Sequence, residues 1–443
     1  MKKSSHNLHE NDEDRIGQLS DDILISVISR LTIREATATS ILSTRWRYLH
    51  TYVTYLDFPP PSNFSGETSF QNYVNTVVDR VLDSHKGARV KALKVDTNNA
   101  SFDKCLEFAL TKEAETIDIR NRGTSHDCFL RLASNLNIIR LLPAGLKCLE
   151  QLSLSNVIVN DQDFELLLSN SLALESLSIK CSYDKCTYNK YLKNVKIIGH
   201  PKLKHLDISC AWKLESIEIR DVINLVSLKL YEVRIGCALQ LSNIPNFIKL
   251  GYIEYYDDLA NKLFARMPSC IRDQLQLLNL STTLFPVMDY EMFEFPNVKQ
   301  LELTLIMSKE PNCVYLVHPL IESCRSLEKL KIEFTWRESV DKMSGLEKGE
   351  ASKIYHELAS NTYGFKHKKL SPKLKEVEII GYLGSRSELE LASYIIKNAA
   401  SLQELIVVTA FNLRRENDRI EFDFARRDFH RIITLPEINF FLF

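Results

Sequence analysis

Histidine is where chemistry would begin in this sequence. His356-Glu357-Leu-Ala-Ser360 opens like the helix of a zinc hydrolase, in which two histidines four residues apart reach one metal and the glutamate beside the first serves as base. The fifth position here is Ser360, and His367 stands eleven residues beyond His356, outside the usual third-ligand spacing. The segment reads as a solvated loop or helix, and no metal is expected. His200 and His205 flank Pro201-Lys-Leu-Lys with no ligand partner in the pattern, so structural or surface roles are expected. There is no G-x-S-x-G elbow, no P-loop lysine motif and no G-x-G-x-x-G turn, and the thirteen glycines never cluster as a phosphate cradle. No catalytic residue, metal site or cofactor is assigned, and the chain is read as a non-enzyme.

Ten cysteines, at 105, 128, 148, 181, 186, 210, 237, 270, 313 and 324, include no C-x-x-C pair. The leading residues MKKSSHNLHENDEDR are polar throughout and read as a disordered leader without a signal peptide. Scattered cysteines in that context point to reduced thiols and a cytoplasmic or nuclear location. Asn63-Phe-Ser, Asn99-Ala-Ser and Asn279-Leu-Ser then match the glycosylation pattern by chance. Net charge is −1, which favours neither nucleic acid nor an anionic membrane, and no apolar run approaches the ~20 residues of a spanning helix. At 443 residues, 45% of them hydrophobic, the chain can hold two or three packed domains.

What remains is binding. Residues 14–58 combine two short helices with a Trp-bearing third segment. Ser20 is placed to cap the first helix by accepting a backbone hydrogen bond, with Asp21 and Asp22 at its positive end. Ile23, Leu24, Val27, Ile28 and Leu31 follow at helical spacing. Thr32 with Glu35 is a capping box for a second helix carrying Ala36, Ala38, Ile41 and Leu42. So small a unit buries its apolar face poorly, and a face left open usually belongs to a partner. Asp14-Arg15-Ile16, Leu19 with Ile23-Leu24, Ile28 with Leu31, and Leu42-Ser43-Thr44-Arg45-Trp46-Arg47 together resemble an F-box of the plant type. Ser20 and Thr32 stand where that family usually has proline.

The second feature is a repeat, apolar-x-x-apolar-x-apolar. It runs from VKALKV (90–95) and AETIDI (114–119) through LEQLSL (149–154), LESLSI (174–179), LKHLDI (203–208), LESIEI (214–219) and LVSLKL (225–230). LQLLNL (275–280), VKQLEL (298–303), LEKLKI (327–332), LKEVEI (374–379) and LQELIV (402–407) complete twelve copies. Several neighbours lie 23 to 29 residues apart, the period of leucine-rich repeats. Each final triplet is a short strand whose outer two residues enter the core while the middle one faces solvent. Stacked copies form one parallel sheet. The copies at 203, 214 and 225 are only 11 apart, which leaves room for tight turns and not for helices. Asp161–Leu168 and Pro319–Cys324 read as helical, and 333–370 as an insertion.

Phe70, Tyr73, Val74, Val77, Val78, Val81 and Leu82 form one helical stripe, expected to cap the solenoid's N-terminal end, with Pro59-Pro60-Pro61 before it as a stiff joint. Residues 370–408 read strand–turn–helix–strand, with Leu402–Val407 as the last strand, and resemble the FBD segment of plant F-box proteins. The expected organisation is a leader (1–13), F-box (14–58), linker and capping helix (59–89), leucine-rich repeats (90–369), FBD-like terminal repeat (370–410) and a polar tail (411–443). The fold class is α/β: a small N-terminal helical F-box followed by an irregular leucine-rich-repeat solenoid of parallel strands, short helices and turns.

The resemblance implies the substrate-recognition subunit of a Skp-cullin-F-box ubiquitin ligase, with the F-box docking a Skp-family adaptor, and through it cullin, and the repeats holding an unknown protein target. Leu19, Ile23, Leu24, Ile28, Leu31, Leu42, Trp46 and Leu49 are the expected adaptor-facing or supporting residues, with Trp46 among the most sensitive. The alternatives are a repeat scaffold without ligase assembly, or a sensor whose ligand would need convergent residues such as Lys229, Arg234, Tyr252, Tyr255 and Tyr256. For these five, ordinary surface and core packing is the preferred reading.

Overall fold

The computed structural model describes residues 16–59, 67–122, 143–157, 159–180, 192–209, 214–231, 238–253, 267–282, 294–307, 314–336, 370–382, 386–409 and 439–442. The chain divides into two compact units, Met1–Cys128 with Asn137–Leu154, and Phe129–Leu136 with Ser155–Phe443.

The first unit opens with helices α1 (Asp21–Ile28) and α2 (Ile33–Ala38) and two 3-10 turns, Thr39–Ile41 and Trp46–Tyr52. Strand β1 (Tyr55–Phe58) follows directly. It pairs in parallel with β2 (Ala92–Thr97), which pairs with β3 (Thr116–Asn121), and β4 (Gln151–Ser155) is next in the order. Leu56, Leu93 and Ile117 share one register row and Phe58, Val95 and Ile119 another, all buried. The sheet therefore starts inside the segment that resembles an F-box.

The stripe at 70–82 is a helix, α3 (Glu67–Tyr73) and α4 (Asp79–Ser84) joined by a π turn at Val74–Val78. Phe70, Val74, Val78 and Leu82 are buried, while Val77 is exposed. Its place corrects the expectation of an end cap. It is the crossover between parallel neighbours β1 and β2, as α5 (Asn99–Thr111) is between β2 and β3. Parallel strands need such a connection, and the amphipathic stripe supplies it. A short helix, α6 (Pro143–Leu146), precedes β4.

In the second unit, α7 (Asp161–Asn170) starts at a capping box formed by Asn160 and Asp163. The main parallel sheet of this unit runs through β5 (Ser176–Lys180), β7 (His205–Ser209), β9 (Ser227–Tyr231), β11 (Lys249–Ile253), β12 (Leu277–Thr282), β13 (Gln300–Met307), β14 (Lys329–Trp336), β15 (Glu376–Tyr382) and β16 (Glu404–Thr409). Helices α8 (Ser269–Arg272), α9 (Val314–Ser323) and α10 (Arg386–Asn398) lie in the connections. Most strands of this sheet follow a turn in which the leading apolar residue donates to the carbonyl three residues back, as in Leu225 to Val222, Phe247 to Ile244, Leu327 to Cys324 and Leu402 to Ala399, whereas before β7 Leu203 N–H donates to His200 Nδ1. These leading residues are buried.

The closely spaced copies do not stack into one sheet as expected. LESIEI forms β8 (Ser216–Arg220), which pairs with β6 (Asn194–Ile198) and β10 (Ala238–Ser242) in a separate three-stranded parallel sheet. Strands thus alternate between two sheets, and register partners such as His205 and Ser227, or Asn194 and Ser216, are 22 residues apart. Where other connections hold a helix, those between β5 and β7, β7 and β9, and β9 and β11 hold a strand of this second sheet. Val195, Ile197, Ile217 and Ile219 are buried on it as Leu206, Ile208, Leu228 and Leu230 are on the first. The corners use short polar residues in the left-handed region, Asp221 (φ 57) and Asn243 (φ 51), with Asn243 Nδ2 donating to Asp221 Oδ1 at 2.7 Å.

The strand–turn–helix–strand pattern at the C-terminal side is present as β15, α10 and β16. Leu402–Val407 is not the last strand, because β17 (Asn439–Leu442) pairs in parallel with β16. The expected insertion beyond Trp336 and most of the polar tail lie outside the described residues.

Candidate functional site

The helical segment of the first unit holds its shape through a few polar contacts. Thr32 caps α2 as expected: its hydroxyl accepts from Glu35 N–H at 3.3 Å, and Glu35 accepts the Thr32 N–H at 3.0 Å. The Thr32 N–H and then the Thr32 hydroxyl, both donating to the Glu35 carboxylate, hold it below its ordinary pKa. Ser20 is a correction. It sits at the N-cap with extended backbone, and its carbonyl receives Leu24 N–H, yet its side chain makes no capping bond. The restraint comes from Arg45. Its guanidinium donates to Asp21 Oδ1 at 2.8 Å and to the carbonyls of Gly17 and Leu19, each at 2.5 Å. A planar fork of donors suits that three-way clamp, which ties the loop before α1 to the turn before Trp46.

The apolar residues then divide into two sets. Leu24, Ile28, Ile33, Ala36, Trp46, Leu49 and Val53 are buried, Leu24 at 0% exposure and Trp46 at 8%. Ile23 and Val27, one turn apart on α1, are exposed, as are Ile16, Leu31, Ile41, Leu42, Tyr48, Tyr52 and Tyr55. Leu42 is 63% exposed and Ile41 86%. Leu19 is intermediate. Of the eight residues expected to serve docking, Leu24, Ile28, Trp46 and Leu49 fill the module's own core. Ile23, Leu31 and Leu42 face outward. Sequence reasoning passed over Ile16, Val27, Ile41 and Tyr48 as surface candidates. The available signal was number: more apolar residues occur between 16 and 55 than one face of two short helices can bury.

The outward set is presented from a fixed base. Thr54 N–H donates to Ser29 Oγ at 2.9 Å, Lys86 N–H to Thr51 O at 2.8 Å, and Lys91 N–H to Thr54 O at 2.7 Å. His85, buried, places Nε2 2.9 Å from the Val53 carbonyl and its ring edge-on to Phe108. Burial, and then Lys112, push its pKa down. Backbone pairing of β1 with β2 completes the attachment.

The other groups singled out by residue type carry no reactive geometry. His200 is buried, with Nδ1 accepting from Leu203 N–H and Nε2 3.2 Å from the Ser171 carbonyl. His205 is exposed and contacts Ser227 Oγ at 2.8 Å. Cys105 and Cys324 are buried, and burial pushes both thiols up to about 12. Such thiols are poor nucleophiles at neutral pH. Among the described residues, no three or more His, Cys, Asp or Glu converge to hold a metal, and no helix is long and apolar enough to cross a membrane. Tyr252 is buried and Lys229 exposed, whereas Arg234, Tyr255 and Tyr256 lie outside the described residues, as do His356, Glu357 and His367.

Comparison with known proteins agrees with this architecture. Residues 81–425 match a family model described as the At1g61320/AtMIF1 LRR domain. The F-box/FBD/LRR-repeat protein At4g26340 of Arabidopsis thaliana is 24% identical over 418 residues, covering 88% of this chain and 91% of that protein. The F-box/FBD/LRR-repeat protein At1g51370, from the same plant, is 24% identical over 434 residues, covering 90% and 94%. The FBD-associated F-box protein At1g61320 is 24% identical over 443 residues, covering 92% and 91%.

Proposed function

The chain belongs to the At1g61320 family of FBD-associated F-box proteins with leucine-rich repeats, and from that premise we propose that it is the substrate-recognition subunit of a Skp-cullin-F-box ubiquitin ligase. In this reading residues 14–58 dock a Skp-family adaptor, which links the chain to cullin, and the repeats hold a protein target. The chain contributes proximity: it raises the concentration of a bound target near a charged conjugating enzyme. It then works in the cytoplasm or nucleus.

The observation that carries the proposal is the outward apolar set of the helical module. Ile23, Val27, Leu31, Ile41 and Leu42 are left exposed, from 38% at Leu31 to 86% at Ile41, and apolar side chains held out on a braced scaffold are what a partner surface buries. Trp46 and Leu49 serve the same end indirectly by supporting them. The test is calorimetry of the full-length chain with a purified Skp-family adaptor. Wild type is expected to bind, and Leu42→Asp to weaken binding by about tenfold or more with an unchanged melting temperature. No heat of association with wild type overturns the proposal.

A further inference from the structure

The solvent face of the second unit's main sheet carries charged side chains in register rows. One row runs His205, Ser227, Lys249; the next runs Asp207, Lys229, Gly251, Asn279 and Glu302. Most charges there are matched by a neighbouring strand. Lys180 pairs with Asp207 at 2.9 Å, Lys329 with Glu376 at 2.9 Å and Lys331 with Glu378 at 3.8 Å. Glu302 accepts from Asn279 Nδ2 and Gln300 Nε2.

Lys229 and Lys249 break this pattern. Both are exposed, on adjacent strands β9 and β11, and among the described residues neither forms an ion pair or a side-chain hydrogen bond. The carboxylate in register with Lys229, Asp207, is already taken by Lys180. Beside Lys229 stands Gly251, where a Cβ would come 3.1 Å from Lys229 Cγ. The missing side chain lets the lysine stem lie close against the sheet. The surplus of cations is also felt by His205, whose pKa is pushed down first by burial and then by Lys249, Lys204 and Lys229, against Glu175.

We propose that the face of β7, β9 and β11 binds an acidic stretch of a target polypeptide, with Lys229 and Lys249 supplying cations to its carboxylates across the notch at Gly251. The assignment rests on reading the repeats as the target-holding part, and it names the chemistry of that target. Lysines present point charges on flexible stems, which suit successive carboxylates of an extended chain better than one planar fork. Two ammonium groups without an ion pair among the described residues, side by side on adjacent strands, select against basic segments.

The experiment uses the full-length chain and an array of short peptides of varied sequence. Bound peptides are expected to be enriched in Asp and Glu, with binding that weakens as salt rises. A Lys229→Glu, Lys249→Glu double variant is expected to lose that enrichment and to bind the best acidic peptides about tenfold or more weakly. Lys196→Glu, on the second sheet, makes a like charge change away from the site and is expected to retain the enrichment. Equal enrichment in wild type and the double variant, or none in wild type, overturns the proposal, as does full displacement of peptide by inorganic phosphate at equal molarity. Circular dichroism and a matched melting temperature show that the double variant folds. Adaptor binding, measured on the same samples, separates this outcome from the ligase reading: the double variant is expected to bind adaptor as wild type does.

Discussion

At the scale of single residues, the helical module shows that apolar type and role are separate properties. Ile23 and Leu24 are neighbours with nearly the same side chain, yet one is exposed and the other fully buried. Helical geometry turns successive residues by about 100°, so only one of the pair can face the core. Trp46 belongs with Leu24: its large ring is a core component, and its effect on any partner passes through folding. Trp46→Ala is expected to cost about 3–5 kcal/mol and to lower the melting temperature clearly, whereas Leu42→Asp is expected to change stability by only about 0.5 kcal/mol. Thermal unfolding followed by circular dichroism distinguishes the two. Arg45 was legible as a motif residue, but its three-way clamp on Gly17, Leu19 and Asp21 joins positions up to 28 apart and could not be read from spacing.

At the scale of elements, strand positions were largely legible because alternation of apolar residues is a local property. The copies at 203, 214 and 225 are strands as read. Their partners were not legible, since the sequence marks which residues must be buried and not which strand covers them. The 11-residue interval leaves no room for a helix, and alternate strands leave the first sheet to form the second. The terminal strand–turn–helix–strand element rests on Gly381. Its φ is +74°, and a Cβ there would lie 2.2 Å from the Phe334 carbonyl oxygen on the neighbouring strand. Gly381→Ala is expected to destabilise by about 1–3 kcal/mol, read as a lower midpoint in urea or heat.

At the scale of the whole molecule, the segment resembling an F-box is not a bead on a string. Its last residues form β1, and the β1–β2 ladder, His85 against Val53 and Ser29 beneath Thr54 build it into the first compact unit. Of the Pro59–Pro61 run expected to be the stiff joint, Pro60 and Pro61 lie outside the described residues, and Pro59 O accepts from Tyr73 Oη at 3.3 Å. In the second unit, β17 covers the edge of β16 that would otherwise present unpaired backbone along Glu404–Thr409. Ending the chain before Asn439 exposes that longer edge. The truncated protein is expected to self-associate more than wild type, as measured by light scattering after size-exclusion chromatography.

The amino-acid sequence by itself determined the repeat, the strand triplets, the capping box at Thr32 and the family to which the chain belongs, because each is written in residues close together along the chain. The tertiary structure alone decided which apolar residues of the helical module face solvent, that alternate repeats build a second sheet, and that Lys229 and Lys249 have no ion pair among the described residues. Those properties depend on which distant segment arrives beside a residue, and the free energy that selects it is summed over contacts between positions tens to hundreds of residues apart.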